Sequence, residues 1–161
     1  MRKGGCEVLF SKPGRFFLTC GRGEGLTPLN AFDAALWDAG VGDLNLVKVS
    51  SILPPRCRED STPLESGSIV PAAYAYIIGD IPGEVISAAV AVGVPEDPDK
   101  PGLIMEYSAK GHRDEAEAIV RRMVEEGMAM RGRRIKEIKS CAVECKVERI
   151  GAAFAAVVFG P

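Results

Sequence analysis

Leu44-Asn45-Leu46-Val47-Lys48-Val49-Ser50-Ser51-Ile52-Leu53-Pro54-Pro55 is the stretch on which the reading of this chain turns. Its Leu, Val and Ile content is that of a well-buried strand, and the paired prolines end it, since proline lacks the N–H that a sheet ladder needs. The pattern predicts a strand over residues 44–52. Two hydroxyls close that strand. Taken alone, they read as a strand terminus whose side chains bond nearby backbone.

Outward from this stretch the chain alternates apolar runs with breakers. Residues 56–67 carry charges, Pro63 and several serines and read as a surface loop. Apolar runs at 69–78 and 85–94 are joined by the turn Asp80-Ile81-Pro82-Gly83, though Ala88, Ala89 and Ala91 leave a helix open for the second run. A loop at 95–101 and a strand at 103–109 follow. Residues 113–131 form the strongest helix signal, with Ala116, Ile119, Val120, Met123 and Val124 as its apolar stripe and Gly132 as its stop. Strands at 138–147 and 152–159 close the chain, the last so uniformly small and apolar that both its faces should be covered. On the N-terminal side, Thr27 suits a helix N-cap, Pro28 the first helical position and Gly40 the stop, with Leu29, Phe32 and Leu36 expected to face the core. Two helices and five to seven strands predict an α+β fold, a layered sandwich with helices on the outer faces.

A chain of 161 residues fits a single domain. Its net charge of −2 provides no basic field for nucleic acid or an anionic membrane. No apolar run reaches a membrane span, and Met1-Arg2-Lys3-Gly4-Gly5 leads into no signal-peptide core, so a cytoplasmic protein is expected. Of the cysteines, Cys6, Cys20 and Cys57 are scattered. Cys141 and Cys145 share a strand, where a four-residue separation is roughly 13 Å, too far for one tetrahedral metal. No metal site is expected, and the thiols read as free.

Three further features invite chemistry. Gly21-Arg22-Gly23-Glu24-Gly25 precedes a helix but lacks the phosphate-binding spacing, and Glu24 would repel a phosphate, so it reads as a flexible turn. His112 is the sole histidine and sits at a helix start, where a surface or capping role is usual. Glu106 lies within the apolar strand Leu103-Ile104-Met105-Glu106-Tyr107. Either it faces solvent across an open sheet, or burial raises its pKa toward that of a proton donor.

Several blocks, in this order, are similar to the pyruvoyl-dependent arginine decarboxylase family. They are Glu24 to Asp33 (EGLTPLNAFD), Ala39 to Leu46 (AGVGDLNL), Val49 to Pro55 (VSSILPP), Ile81 to Glu84 (IPGE) and Gly102 to Tyr107 (GLIMEY). The resemblance runs from about Glu24 to Phe159 and is weak over the first twenty-odd residues. It implies a four-layer αββα sandwich, assembled as a homotrimer with active sites between neighbours. It also implies a precursor that cuts itself between Ser50 and Ser51 into a β chain, 1–50, and an α chain, 51–161.

The implied chemistry suits the local residues. The Ser51 hydroxyl attacks the Ser50 carbonyl and displaces the nitrogen of Ser51 itself, forming an ester, which demands a nearly fixed geometry. Elimination and hydrolysis then release ammonia and leave a pyruvoyl group in place of Ser51. By the same resemblance, Asn45 donates to the oxyanion, with Gly42 permitting close backbone approach. Asn45 and Ser51 share parity on the expected strand and should face one side. The pyruvoyl cofactor would take arginine through a Schiff base and release CO2 to give agmatine, with Glu106 as proton donor. Asp33 would bind the guanidinium, and Ser50 would line the site. Two alternatives stay open: the same chemistry on another amino acid, and an uncleaved, non-catalytic oligomeric homologue.

Overall fold

The computed structural model describes residues 11–161, which leaves Cys6 and the first residues of the chain outside the described part. Nine strands and two helices follow in the order β1 (Arg15–Glu24), α1 (Pro28–Asp38), β2 (Asn45–Lys48), β3 (Ile52–Leu53), β4 (Arg58–Glu59), β5 (Ile69–Gly79), β6 (Val85–Pro95), β7 (Gly102–Lys110), α2 (Arg113–Met130), β8 (Ile135–Lys146) and β9 (Gly151–Gly160). They build two sheets, ordered β2-β5-β9-β1-β4 and β3-β7-β6-β8. Pairing is mostly antiparallel, with parallel contacts only where the short β2 meets β5 and β4 meets β1.

Three apolar clusters define four layers. Phe16, Ala88, Val90, Val92, Ile104, Ala153, Ala155 and Val157 fill the space between the sheets. Ala31 and Ala35 of α1 pack with Ala72, Phe154 and Ala156 on the outer face of the first sheet. Val120, Val124 and Met128 of α2 pack with Ala89, Ala91 and Leu103 on the outer face of the second. The architecture is the αββα sandwich. It also explains the alanines of β6: Ala88 faces one cluster and Ala89 the next, so both faces are covered and small residues keep the layers close. β9 is buried along its whole length, as its composition required.

Several elements depart from the sequence expectation. The single strand over 44–52 is two: β2 in the first sheet, β3 in the second, with the chain crossing between them at residues 49–51. The Gly21–Gly25 segment is no loose turn, since through Glu24 it belongs to β1. Its glycines are spaces for α1: a Cβ at Gly21 would lie 2.3 Å from the Ala35 carbonyl oxygen. That close approach decides how α1 faces. The alanines go inward, and Leu29, expected in the core, is 74% exposed. Ile119 of α2 likewise sits at the edge of its stripe and is exposed. The loop at 56–67 contains β4, which pairs with the start of β1. Gly40 and Gly132 adopt positive φ just past the helices, the left-handed conformation that glycine tolerates.

Candidate active site

The crossing at residues 49–51 is held at both ends. The Val49 N–H donates to the Ala72 carbonyl at 3.0 Å, extending the pairing of β2 with β5. Two residues on, the Ile104 N–H donates to the Ser51 carbonyl at 2.7 Å, tying Ser51 to β7. Facing sheets lie about 10 Å apart, and three extended residues reach about 10 Å, so the segment has little slack. The Ser50–Ser51 peptide bond is therefore the middle of a short bridge anchored to one sheet on each side. Ser51 is half-buried and Ser50 exposed. Ser50 borders a cavity of about 290 Å³ walled by Val47, Val49, Ile52, Ile69, Pro71 and Phe159.

Glu106 is two residues along β7 from Ile104, whose N–H holds Ser51. It is partly buried, with 27% of its side chain exposed, and its Oε1 accepts from Lys48 Nζ at 2.8 Å. It neither faces open solvent nor lies buried without a countercharge. The ammonium comes from β2, so this ion pair joins the two sheets beside the crossing. Lys48 Nζ also sits 5.1 Å from the centre of the Tyr74 ring. Neither Lys48 nor Tyr74 stands out among the sequence motifs. The signal was available, because Lys48 is a charge inside an apolar strand, the same oddity that singled out Glu106.

Asn45 opens β2, and its Nδ2 donates to the Gly67 carbonyl at 2.9 Å while its backbone N–H donates to the Ser68 carbonyl. An amide nitrogen carries two hydrogens, so one donor remains for another acceptor. The parity argument linking Asn45 to Ser51 does not survive, since the strand that would carry it ends at Lys48. Gly42 makes its close approach to the helix: a Cβ there would meet the Trp37 Cα at 2.9 Å and the indole at 3.0 Å.

Asp33 stands apart. It is exposed on the outward side of α1, between Leu29 and Trp37 one turn away on either side. Leu29 marks that side as the solvent face, so the expected cleft does not form within one chain. Glu106 has the strand parity of Ile104, which faces the space between the sheets. The first sheet thus separates Asp33 from Glu106, and a single chain gathers Ser50, Ser51, Lys48 and Glu106 but not Asp33.

The remaining candidates are structural. Glu24 accepts from the Glu148 and Arg149 N–H groups at 2.9 and 3.2 Å, pinning the β8–β9 turn. His112 is the N-cap residue of α2 and makes no side-chain cap bond. Its Nδ1 lies 3.3 Å from Glu144 Oε2, which also accepts the Arg113 N–H at 2.9 Å. Cys20, Cys57, Cys141 and Cys145 are free thiols, and burial raises that of Cys57 to about 11. No helix among the described residues is long and apolar enough to cross a membrane.

Comparison with known proteins converges on one family. The model of the pyruvoyl-dependent arginine decarboxylases matches residues 15–161. The chain is 51% identical over 151 residues to the pyruvoyl-dependent arginine decarboxylase of Methanocaldococcus jannaschii, covering 93% of this chain and 92% of that one. It is 50% identical over 149 residues to that of Methanococcus aeolicus, with 92% and 90% covered. It is 44% identical over 153 residues to that of Pyrococcus horikoshii, with 92% and 96% covered. A sandwich whose Ser-Ser bond bridges its two sheets beside a partly buried carboxylate is, by these matches, a member of the pyruvoyl-dependent arginine decarboxylase family.

Proposed function

We propose that this chain is a precursor cut between Ser50 and Ser51, and that the mature enzyme uses Ser51, Glu106, Asn45 and Asp33 to decarboxylate arginine. Membership of the family makes the chain a carboxy-lyase that yields agmatine and CO2 with a pyruvoyl cofactor made from its own backbone. The observation that carries the assignment of the cut is the two-sided anchoring of the Ser50–Ser51 peptide. Attack of a side-chain hydroxyl on the preceding carbonyl needs that carbonyl held still, and the bonds at Val49 and Ser51 restrain it from both directions.

The residues fit a pyruvoyl group at position 51. Its peptide carbonyl would stay bonded to Ile104, two residues from Glu106, beside the cavity that Ser50 borders. Such a group supplies an electrophilic carbonyl that takes the substrate amine and accepts the electron pair left as CO2 departs. Glu106 holds a proton-transfer group at the edge of that site, and the free Nδ2 hydrogen of Asn45 supports its reading as the donor to the oxyanion of the cut. The two fragments should stay associated. The 1–50 piece contributes β1, paired with β9 over ten residues, and β2, paired with β5.

Assembly supplies what one chain lacks. Leu26, Leu29 and Trp37 expose an apolar patch around Asp33, and Val47, Ile52 and Ile69 expose another around Ser50. Two different patches that meet head to tail form a ring when the rotation between neighbours closes. In a homotrimer built this way, Asp33 of one subunit would reach the Ser51 site of the next, where a carboxylate suits a guanidinium. Gly42, under Trp37, and Ser50 then line the shared site.

Intact mass spectrometry with a denaturing gel tests the reading. Fragments 1–50 and 51–161 should appear, the second blocked at its N-terminus by the pyruvoyl group, and Ser51→Ala should stay whole and inactive. Asp33→Asn should lower kcat/KM for arginine on the order of tenfold to a hundredfold, the scale of a lost charge-assisted hydrogen-bond pair. A mature chain that keeps an ordinary serine at position 51 would overturn the whole assignment.

A further inference from the structure

We infer that Lys48 is a positioning residue for Glu106, acting across the cut to fix the carboxylate at the reacting centre. The inference rests on the proposed role of Glu106 and adds to it. Three observations converge on it. Lys48 Nζ lies 2.8 Å from Glu106 Oε1. The same ammonium sits 5.1 Å from the centre of the Tyr74 ring, so it is seated by an aromatic face as well as by the carboxylate. The backbone of Lys48 is locked in β2, in register with Ala72 of β5, so the side chain starts from a fixed point.

The location gives the pair its consequence. Lys48 lies two residues before the end of the 1–50 fragment, and Glu106 belongs to the 51–161 fragment. Once the peptide bond is gone, the Val49–Ala72 hydrogen bond still holds the tail to β5, and the Lys48–Glu106 ion pair ties it to β7. Glu106 is mostly covered and Lys48 half exposed, with side-chain exposures of 27% and 50%. Screening by solvent is therefore incomplete on the carboxylate side. A proton donor displaced by about 1 Å can lose on the order of a hundredfold in rate. A residue that fixes its rotamer therefore shows in kcat. Substrate capture, assigned to Asp33 on a different element, should be nearly untouched.

The test uses the full chain and expresses every rate per cut subunit, counted by intact mass, so that slow self-cleavage does not enter. Lys48→Gln and Lys48→Met should lower kcat on the order of tenfold to a hundredfold and change KM by less than about threefold. Lys48→Arg should recover most of kcat, because a guanidinium can bond the same carboxylate and stack on the same ring. In a Glu106→Gln background, already low in kcat, Lys48→Gln should bring no further loss, as expected of two residues acting as one unit. If Lys48→Gln keeps the parental kcat while Glu106→Gln abolishes it, the positioning role is wrong and the proton-donor reading stands. If Glu106→Gln itself keeps the parental kcat, the proton-donor reading fails and takes this inference with it. Lys48→Gln is the fallback should the methionine variant not fold. A fall in its thermal midpoint with kcat unchanged would mark Lys48 as purely structural.

Discussion

The two helices cover their sheets by opposite means. α1 lays Ala35 onto Gly21 and Gly23 of β1 and Ala31 onto Gly25 just beyond it, with Gly23 placed so that a Cβ would meet the Ala34 side chain at 2.5 Å. α2 reaches its sheet through the longer Val120, Val124 and Met128. The outward faces are reversed in the same way. α1 shows solvent Leu29, Asp33 and Trp37, whereas α2 shows Asp114, Arg122, Glu125 and Glu126. α1 thus buries its alanines and half-buries Phe32 and Leu36 while leaving Leu29 and Trp37 uncovered, whereas the exterior of α2 is mostly charged. On the proposed reading, the half of the molecule built on α1 and β2 carries assembly and substrate contact, and the half built on α2 supplies support and Glu106.

The sharpest way to break this contrast is to fill the glycine seats. Gly21→Val should cost more than about 3 kcal/mol, because the new Cβ would fall 2.3 Å from the Ala35 carbonyl, which is backbone and cannot swing away. Gly127→Ala on α2 meets the flexible end of Leu103, 2.2 Å from its Cδ2. There a helix-propensity gain of about 1 kcal/mol offsets the strain, leaving stability within about 1 kcal/mol of the parent. Urea unfolding of both variants in the uncut Ser51→Ala background measures the difference. Equal losses would mean that the two helices are seated alike.

The next effect separates assembly from folding. Trp37→Glu should leave the subunit folded, since the indole is 69% exposed. If the subunits assemble as proposed, it should nevertheless yield monomers by light scattering and abolish arginine turnover. Arg122→Glu, on the outer face of α2, should alter neither. Active monomers of Trp37→Glu would place the whole site within one chain.

What was legible in the sequence follows the same division. Elements marked by strong local signals came through: α2 with its stripe and Gly132, β9 with its unbroken small apolar run, the Thr27-Pro28 start of α1. The misses lie where tertiary packing overrides periodicity. Leu29 has helical spacing with Phe32 and Leu36, but only the glycines of β1 decide that α1 rests on its alanines, and those glycines lie on another element. The strand at 44–52 looked continuous because Val49, Ile52 and Leu53 are apolar on both sides of the crossing, and composition does not say which sheet a residue joins. For the site, Ser50, Ser51 and Glu106 could be named from their motifs. Lys48 carries the same signal, a charge inside an apolar strand, but its partner was not legible, because an ion pair between β2 and β7 depends on how two sheets are stacked.

The smallest effects concern how the helices begin. At α1 the cap is local, the Thr27 hydroxyl accepting the Asn30 N–H at 3.2 Å. At α2 it is borrowed from β8, where Glu144 accepts the Arg113 N–H. Thr27→Ala should cost about 1 kcal/mol at any pH at which the protein is folded, because a hydroxyl does not titrate there. Glu144 behaves differently. The hydrogen bond from the Arg113 N–H, and then that from His112, hold its carboxyl below the usual 4.5. A depressed carboxylate contributes stability that is present above its unfolded value and lost as pH falls through its folded value. Glu144→Gln should therefore be less stable than the parent near neutral pH, by less than the Thr27 change because the carboxylate is solvent-screened. The gap should close as the medium is acidified below the unfolded carboxylate range, while the Thr27→Ala gap stays constant. Urea midpoints of the two variants at neutral and acid pH decide it. A Glu144→Gln deficit that persists undiminished in acid would show that the start of α2 is held by packing against β8 rather than by charge.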